Sequence, residues 1–113
     1  MKKLIVLVCI LLLTAIIGCS LTSESDFQIK ISGTDGLKFS GNYYVVAIDG
    51  KSVSKSVDGS LPAEFTTKGS IVSCMFQKGG ESGYLKVEIL KDGKVVASES
   101  TTASYGVVAI GTD

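Results

Sequence analysis

Apolar and polar side chains alternate with a period of two along most of the chain after residue 26, and no apolar stripe of helical spacing is longer than one turn. This period is typical of β-strands with one buried face, because successive side chains on a strand point to opposite sides of its sheet. The alternation predicts seven strands, at residues 26–32, 42–48, 52–57, 70–77, 84–91, 94–101 and 104–110.

Asp-Gly pairs punctuate these strands at four places, residues 35–36, 49–50, 58–59 and 92–93. Asp-Gly favours two-residue hairpin turns, because such turns require positive φ angles. Short strands joined in this way predict an all-β fold, an antiparallel β-sandwich of the immunoglobulin-like type. The 113 residues leave room for one such domain, which we expect at residues 27–111.

The first residues have the features of a secretory signal peptide. A positive Met1–Lys3 segment precedes fourteen residues, Leu4–Ile17, that are apolar except for Thr14. A helix of this length spans about 21 Å, short of the roughly 30 Å hydrocarbon core of a bilayer. We therefore expect residues 1–18 to be a signal peptide, with an uncleaved anchor over Leu4–Leu21 and ordinary secretion as alternatives.

Residues Ile16, Ile17, Gly18 and Cys19 resemble the lipobox of bacterial lipoproteins, in which a branched apolar residue, a second tolerated residue and Gly or Ala precede a Cys. The resemblance implies that the Cys19 thiol is acylated and that the chain is cut after Gly18. Residues 19–26 would then be a flexible tether between the lipid and the domain. The implied location is the cell membrane or outer envelope, with the domain facing outside the cytoplasm.

Cys74 is the one cysteine left for the domain, because Cys9 leaves with the signal peptide and Cys19 carries the lipid. No disulfide within the processed chain is then possible. Cys74 shares its strand face with apolar neighbours in the alternating segment 70–76, so we expect a buried core side chain. Reactivity is not expected, because the chain has no His and Lys78 is not expected close by on the same face.

The composition argues against an enzyme. The chain has no His, all eleven basic residues are Lys, and lysines and acids balance to zero net charge. It lacks the commonest general base and metal ligand, and also the bidentate clamp that Arg provides for phosphates. No nucleophile motif, calcium loop or phosphate-binding loop is present. We expect no catalytic residue, metal or cofactor, and no nucleic-acid partner, since that partner requires a positive surface.

Two predicted strands are apolar on both faces, those at 42–48 and 104–110. A sandwich strand normally has one face in water, so the second apolar face is unusual. We expect Tyr43 and Val45 to share an outer face with Tyr105 and Val107, and to contact a partner or lipid there. The alternative is that loops or a curled neighbouring strand cover these side chains.

Three segments of the domain resemble the family of mycobacterial small membrane proteins (MmpS) and its lipoprotein relatives. They are Val57–Pro62, Gly83–Val96 and Ala103–Ala109, and the similarity extends over roughly residues 27–110. The resemblance implies a small β-sandwich outside the cytoplasm. Some members of the family assist large membrane transporters that export lipids or siderophores, which implies a transporter protein as one candidate partner.

These observations favour a non-enzymatic, lipid-anchored interaction module at the cell envelope, attached to the membrane through Cys19 and contacting an envelope protein. Two alternatives stay open. An accessory subunit of a membrane transporter rests on the family resemblance alone. A carrier of a small apolar ligand requires a cavity between two sheets, whereas large side chains such as Phe76 and Ile89 are expected to fill that space.

Overall fold

A computed structural model describes residues 24–112 of the chain. The expected signal peptide, the lipobox with Cys19 and most of the expected tether lie outside the described residues. No helix among the described residues is long and apolar enough to cross a membrane. The described part contains eight strands: β1 Ser25–Gly33, β2 Lys38–Val46, β3 Ser52–Ser60, β4 Ala63–Gly69, β5 Ile71–Lys78, β6 Leu85–Lys91, β7 Lys94–Thr101 and β8 Val107–Gly111.

Two four-stranded sheets pack together to form the domain. The first sheet has the strand order β4-β1-β6-β7, and the second has the order β3-β2-β5-β8. Every strand pair in both sheets is antiparallel. The predicted all-β sandwich is therefore confirmed, with eight strands in place of the seven expected.

The additional strand is β4, which the alternation did not predict. It pairs with β1 in a register that sets Phe65 opposite Ile29. Ala63 and Phe65 pack against the core, but the next inward position is Thr67, whose polar side chain interrupts the apolar alternation. The pairing with β1 makes this segment a strand, because its own apolar pattern is too short to indicate one.

Two strands start three or more residues away from their predicted first residues. β2 starts earlier, at Lys38, and ends at Val46. β8 starts later, at Val107, because Tyr105 adopts a φ angle of 50° and takes the chain out of the extended conformation.

Three of the four Asp-Gly pairs lie in turns. Asp92 and Gly93, with φ angles of 50° and 85°, form the two-residue hairpin between β6 and β7. Gly36 and Gly50 also have positive φ angles, of 79° and 85°. The turn predicted at residues 58–59 is wrong, because both residues lie inside β3 and pair with β2.

The inward side chains of both sheets form one core. Phe39 of β2 packs edge-on against Phe76 of β5, with ring centroids 5.7 Å apart. Burial of each large apolar side chain stabilises the fold by about 1.5–3 kcal/mol, so this core holds the sheets together. The centre of the core consists of Phe27, Ile29, Ile31, Val72, Phe76, Leu85, Val87, Ile89 and Val108.

Candidate functional site

Tyr43 and Val45 point into the core, so the outer position predicted for these two residues is wrong. Each is only 7% exposed. The Tyr43 ring stacks on Phe65 of β4, with ring centroids 5.8 Å apart and planes inclined by 30°. The neighbouring Tyr44 faces outward instead and is 41% exposed.

The inner and outer faces of β2 were assigned in reverse, and this error has a physical cause. Tyr43 and Tyr44 are identical neighbours, so the apolar pattern does not indicate which ring faces the core. The strand β4 decides between them, because it provides Phe65 as the partner of the Tyr43 ring. Because the alternation did not predict β4, the expectation included no strand that could cover Tyr43.

Tyr105 and Val107 are exposed, by 52% and 49%. Val107 begins β8 and lies beside Gln77 of β5. Tyr105 precedes it in the connection from β7. The predicted outer face shared by Tyr43 and Tyr105 does not exist, because Tyr43 lies inside the sandwich, but Tyr105 and Val107 remain available for contact.

The outer face of the second sheet carries no charged side chain over residues 40–46 of β2 and over β5 and β8, and we call this region the uncharged face. Charged side chains lie at its border, on Lys38 at the start of β2 and on Asp58 of the edge strand β3. The register places Met75 between Asn42 and Ala109. Met75 is 50% exposed, so this part of the face is apolar and open to solvent. The face consists of Ser40, Asn42, Tyr44, Val46, Ile71, Ser73, Met75, Gln77, Val107, Ala109 and Gly111.

The outer face of the first sheet is different, because charges of both signs lie on it. Two ion pairs form there: Lys68 Nζ lies 3.6 Å from Asp26 Oδ1, and Lys86 Nζ lies 4.0 Å from Glu88 Oε2. Exposed pairs of this kind contribute little to stability, but their charges keep the surface hydrated. The outer face of the first sheet is thus suited to water, whereas the uncharged face is suited to contact with another surface.

Lys78 at the end of β5 is almost fully buried and holds the loop that precedes β8. Its Nζ donates hydrogen bonds to the carbonyl oxygens of Thr102 and Ala103, at 3.2 and 2.8 Å. Its backbone N–H donates to the carbonyl oxygen of Gly106 at 2.9 Å. These three bonds fasten both ends of the loop to the last residue of β5.

Tyr105 is presented by this 102–106 loop in a left-handed backbone conformation, with a φ angle of 50°. A bulky residue rarely adopts this conformation, which costs about 1–2 kcal/mol. The Tyr105 N–H donates to the carbonyl oxygen of Gly80 at 2.9 Å, and its carbonyl accepts from Gln77 Nε2 at 3.0 Å. The loop therefore fixes an exposed aromatic residue at the end of the uncharged face.

The position of Lys78 contradicts the expectation that it lies off the face of Cys74. Cys74, Phe76 and Lys78 alternate on the same inward face of β5. Because these three residues are spaced by two along the chain, the sequence already indicated that they share one face of the strand. The acceptors of the ammonium group are backbone carbonyls, which every segment contains, so the sequence held no charged partner that would have indicated this burial.

Cys74 is a free, buried thiol, as predicted from its place in the alternation. Burial raises its pKa to about 12, because desolvation disfavours the thiolate. The thiol thus stays protonated at neutral pH and is a poor nucleophile. Within residues 24–112, no group of three or more His, Cys, Asp or Glu side chains is placed to hold a metal ion.

The class of protein that these features define is a small antiparallel β-sandwich with one charged outer face and, on the other sheet, the uncharged face of β2, β5 and β8. A scan against protein-family models finds no match to the chain, and a search of curated proteins finds no significant similarity.

Proposed function

We propose that this chain is a lipid-anchored β-sandwich that acts as a non-enzymatic interaction module on the outer side of a cell membrane. A lipid on Cys19 would attach it, and the short polar segment before β1 would be the tether. The observation that carries the proposal is the uncharged face, since a sheet face that only meets water usually bears charges, as the opposite face does.

An anchor before β1 would keep one end of the sandwich close to the membrane. Ser25 starts β1 at this end, opposite Gly69 of β4. The 102–106 loop lies at the other end, where its Tyr105 meets Gly80 just beyond β5. A strand of nine residues spans about 30 Å, so Tyr105 would stand roughly that far from the tether.

The size of the uncharged face indicates a weak contact. Three strands about 4.8 Å apart and roughly 26 Å long cover on the order of 400 Å². A standard stable interface uses about 800 Å² on each partner. A contact of half that size becomes effective when both partners are confined to the same membrane, which raises their effective concentration.

The described core argues against the carrier alternative. A carrier requires an empty interior, whereas Phe27, Phe76 and Ile89 occupy the space between the sheets and are each 1% exposed or less. A close-packed interior of this kind leaves a ligand no room without unfolding part of the core.

Photo-crosslinking from the uncharged face tests the proposal. A photoreactive amino acid replaces Met75 in the full chain, which is produced in cells of its natural host. The matched control replaces Val95, which is 52% exposed on the outer face of the first sheet, against 50% for Met75. We expect envelope proteins to be cross-linked from position 75 and not from position 95.

Two results would overturn the proposal: no protein cross-linked from position 75, or the same proteins cross-linked equally from both positions. Mass spectrometry of the cross-linked partner then separates a transporter subunit from another kind of envelope protein. The transporter-accessory prediction depends on that identification.

A further inference from the structure

One side of the sandwich contains an open groove. β3 and β4 are edge strands of different sheets, and a groove of about 370 Å³ lies between them. We call it the β3–β4 groove. Its floor is apolar and includes Tyr43, Val45 and Val53.

Val53 indicates that part of the inner face of β3 has no strand opposite it. Val53 pairs with Val45, so both side chains lie on the same, inward side of the second sheet. Val45 is 7% exposed and Val53 is 56% exposed. The inward face of β3 is thus uncovered at this point, because the first sheet ends at β4.

The free edge of β4 offers backbone hydrogen-bonding groups. The carbonyl of Asp26 in β1 accepts from the N–H of Asp92, so the backbone polar groups of Asp26 point toward β6. In an antiparallel ladder these directions alternate from residue to residue. The N–H and C=O groups of Glu64, Thr66 and Lys68 therefore point away from β1, to the free edge.

The charge of the groove is mainly positive. Lys51, Lys55 and Lys68 line it, together with one acid, Asp49. Among the described residues, the one ion pair that these three lysines form is that of Lys68 with Asp26, and both of those side chains are well exposed. The groove thus combines an apolar floor, a free strand edge and lysine charges that are largely uncompensated.

We propose that the β3–β4 groove binds an extended, acidic peptide segment of another protein, which adds to the free edge of β4 as a fifth strand of the first sheet. Backbone hydrogen bonds hold the segment, its apolar side chains cover Val53, and its carboxylates pair with Lys51 and Lys55. The inference goes beyond the proposed function, because it concerns a different side of the sandwich and requires no lipid anchor.

Peptide binding to the full chain in a non-ionic detergent tests the inference. The probe is a fluorescent, blocked heptapeptide in which pairs of valines alternate with pairs of glutamates, so that each face of the extended peptide carries both residues. The matched probe has lysine in place of glutamate. We expect the anisotropy of the acidic peptide to rise on titration with the protein, and that of the lysine peptide to stay constant. Hydrogen exchange should slow at residues 64–68 when the acidic peptide binds.

Two lysine variants locate the binding. Lys55→Glu reverses a charge in the groove and should weaken the acidic peptide at least about tenfold, since like charges then face each other. Lys94→Glu makes the same change on the exposed edge strand β7 of the first sheet and should alter the affinity by less than about twofold.

Thr66→Pro removes one N–H from the free edge of β4 without removing a hydrogen bond between β4 and β1, and should also weaken binding.

Several outcomes would overturn the inference. The acidic peptide does not bind, or both peptides bind equally well, or Lys94→Glu weakens binding as much as Lys55→Glu. If dodecanoate slows hydrogen exchange at residues 64–68 and the acidic peptide does not, the groove is instead a site for a small anionic amphiphile. If hydrogen exchange at these residues slows as the protein concentration rises, with no peptide present, a second copy of this chain occupies the groove. The crosslinking test at Met75 is independent of all these results.

Discussion

At the scale of single residues, two adjacent tyrosines on β2 lie in opposite environments. Tyr43 stacks on Phe65 in the core, whereas Tyr44 lies on the uncharged face. Tyr43→Ser should lower the free energy of unfolding by about 3 kcal/mol or more, because it leaves a cavity beside Phe65. Tyr44→Ser should change it by less than about 0.5 kcal/mol, as at other surface sites. Denaturant midpoints of both variants measure the difference. Equal losses of stability would contradict the placement of Tyr43 on the inner face of β2 and of Tyr44 on its outer face.

Cys74 permits a second test at this scale, by labelling and by pH. A bulky maleimide should modify the folded protein slowly and the urea-unfolded protein fast, because the thiol is buried and protonated. Its pKa is raised from 9.0 to about 12, so the folded state holds this proton more tightly than the unfolded state. The associated stability is fully present below pH 9 and is lost as the pH rises toward 12, by about 1.4 kcal/mol per pH unit.

Comparison with Cys74→Ala isolates this contribution from lysines and tyrosines that titrate in the same range. The variant should show a shallower loss of stability above pH 9 than the wild type. Fast labelling of the folded wild-type protein would contradict the core position of Cys74.

At the scale of strands, the alternation located every element that buries a continuous apolar stripe. β6 is one example, because Leu85, Val87 and Ile89 all face the core and are spaced by two. Edge strands were predicted less well. β4 has Thr67 at an inward position, and β3 contains Asp58-Gly59 because the core does not select the residues of an exposed edge.

The candidate site was only half predictable for a related reason. The exposure of Val107 follows from the alternation, because Val108 beside it is the core residue of β8. The faces of β2 could not be assigned, since both are apolar and the choice depends on Phe65 of the unpredicted β4. The burial of Lys78 depends on carbonyls of a distant loop, which leave no trace in the sequence.

The connection between β7 and β8 is the element whose conformation depends most on one side chain. Lys78→Met removes two hydrogen bonds from the 102–106 loop and should cost about 2 kcal/mol, because the bonds come from a charged donor that is itself buried. Chymotrypsin should then cut after Tyr105 faster than in the wild type. Lys94→Met, at an exposed position on β7, is the control and should change neither quantity. If Lys78→Met is as stable as the wild type and is cleaved at the same rate, the role of Lys78 in holding the loop is contradicted.

At the scale of the whole molecule, the sandwich presents three surfaces of different chemistry. The outer face of the first sheet bears charges of both signs, the uncharged face covers most of the outer side of β2, β5 and β8, and the β3–β4 groove bears lysines. The uncharged face is too small for a tight interface by itself. A membrane anchor is therefore central to the account, because confinement to a membrane makes a weak contact effective.

The most direct test of that claim is the mass of the N-terminal peptide of the protein recovered from the membrane fraction of its natural host. The account predicts a peptide that begins at Cys19 and carries acyl chains, with residues 1–18 removed. Cys19→Ala is the matched variant, and it should keep residues 1–18 because processing requires the acylated thiol. A wild-type peptide that still begins at Met1, or one that begins at an unmodified Cys19, would contradict the account.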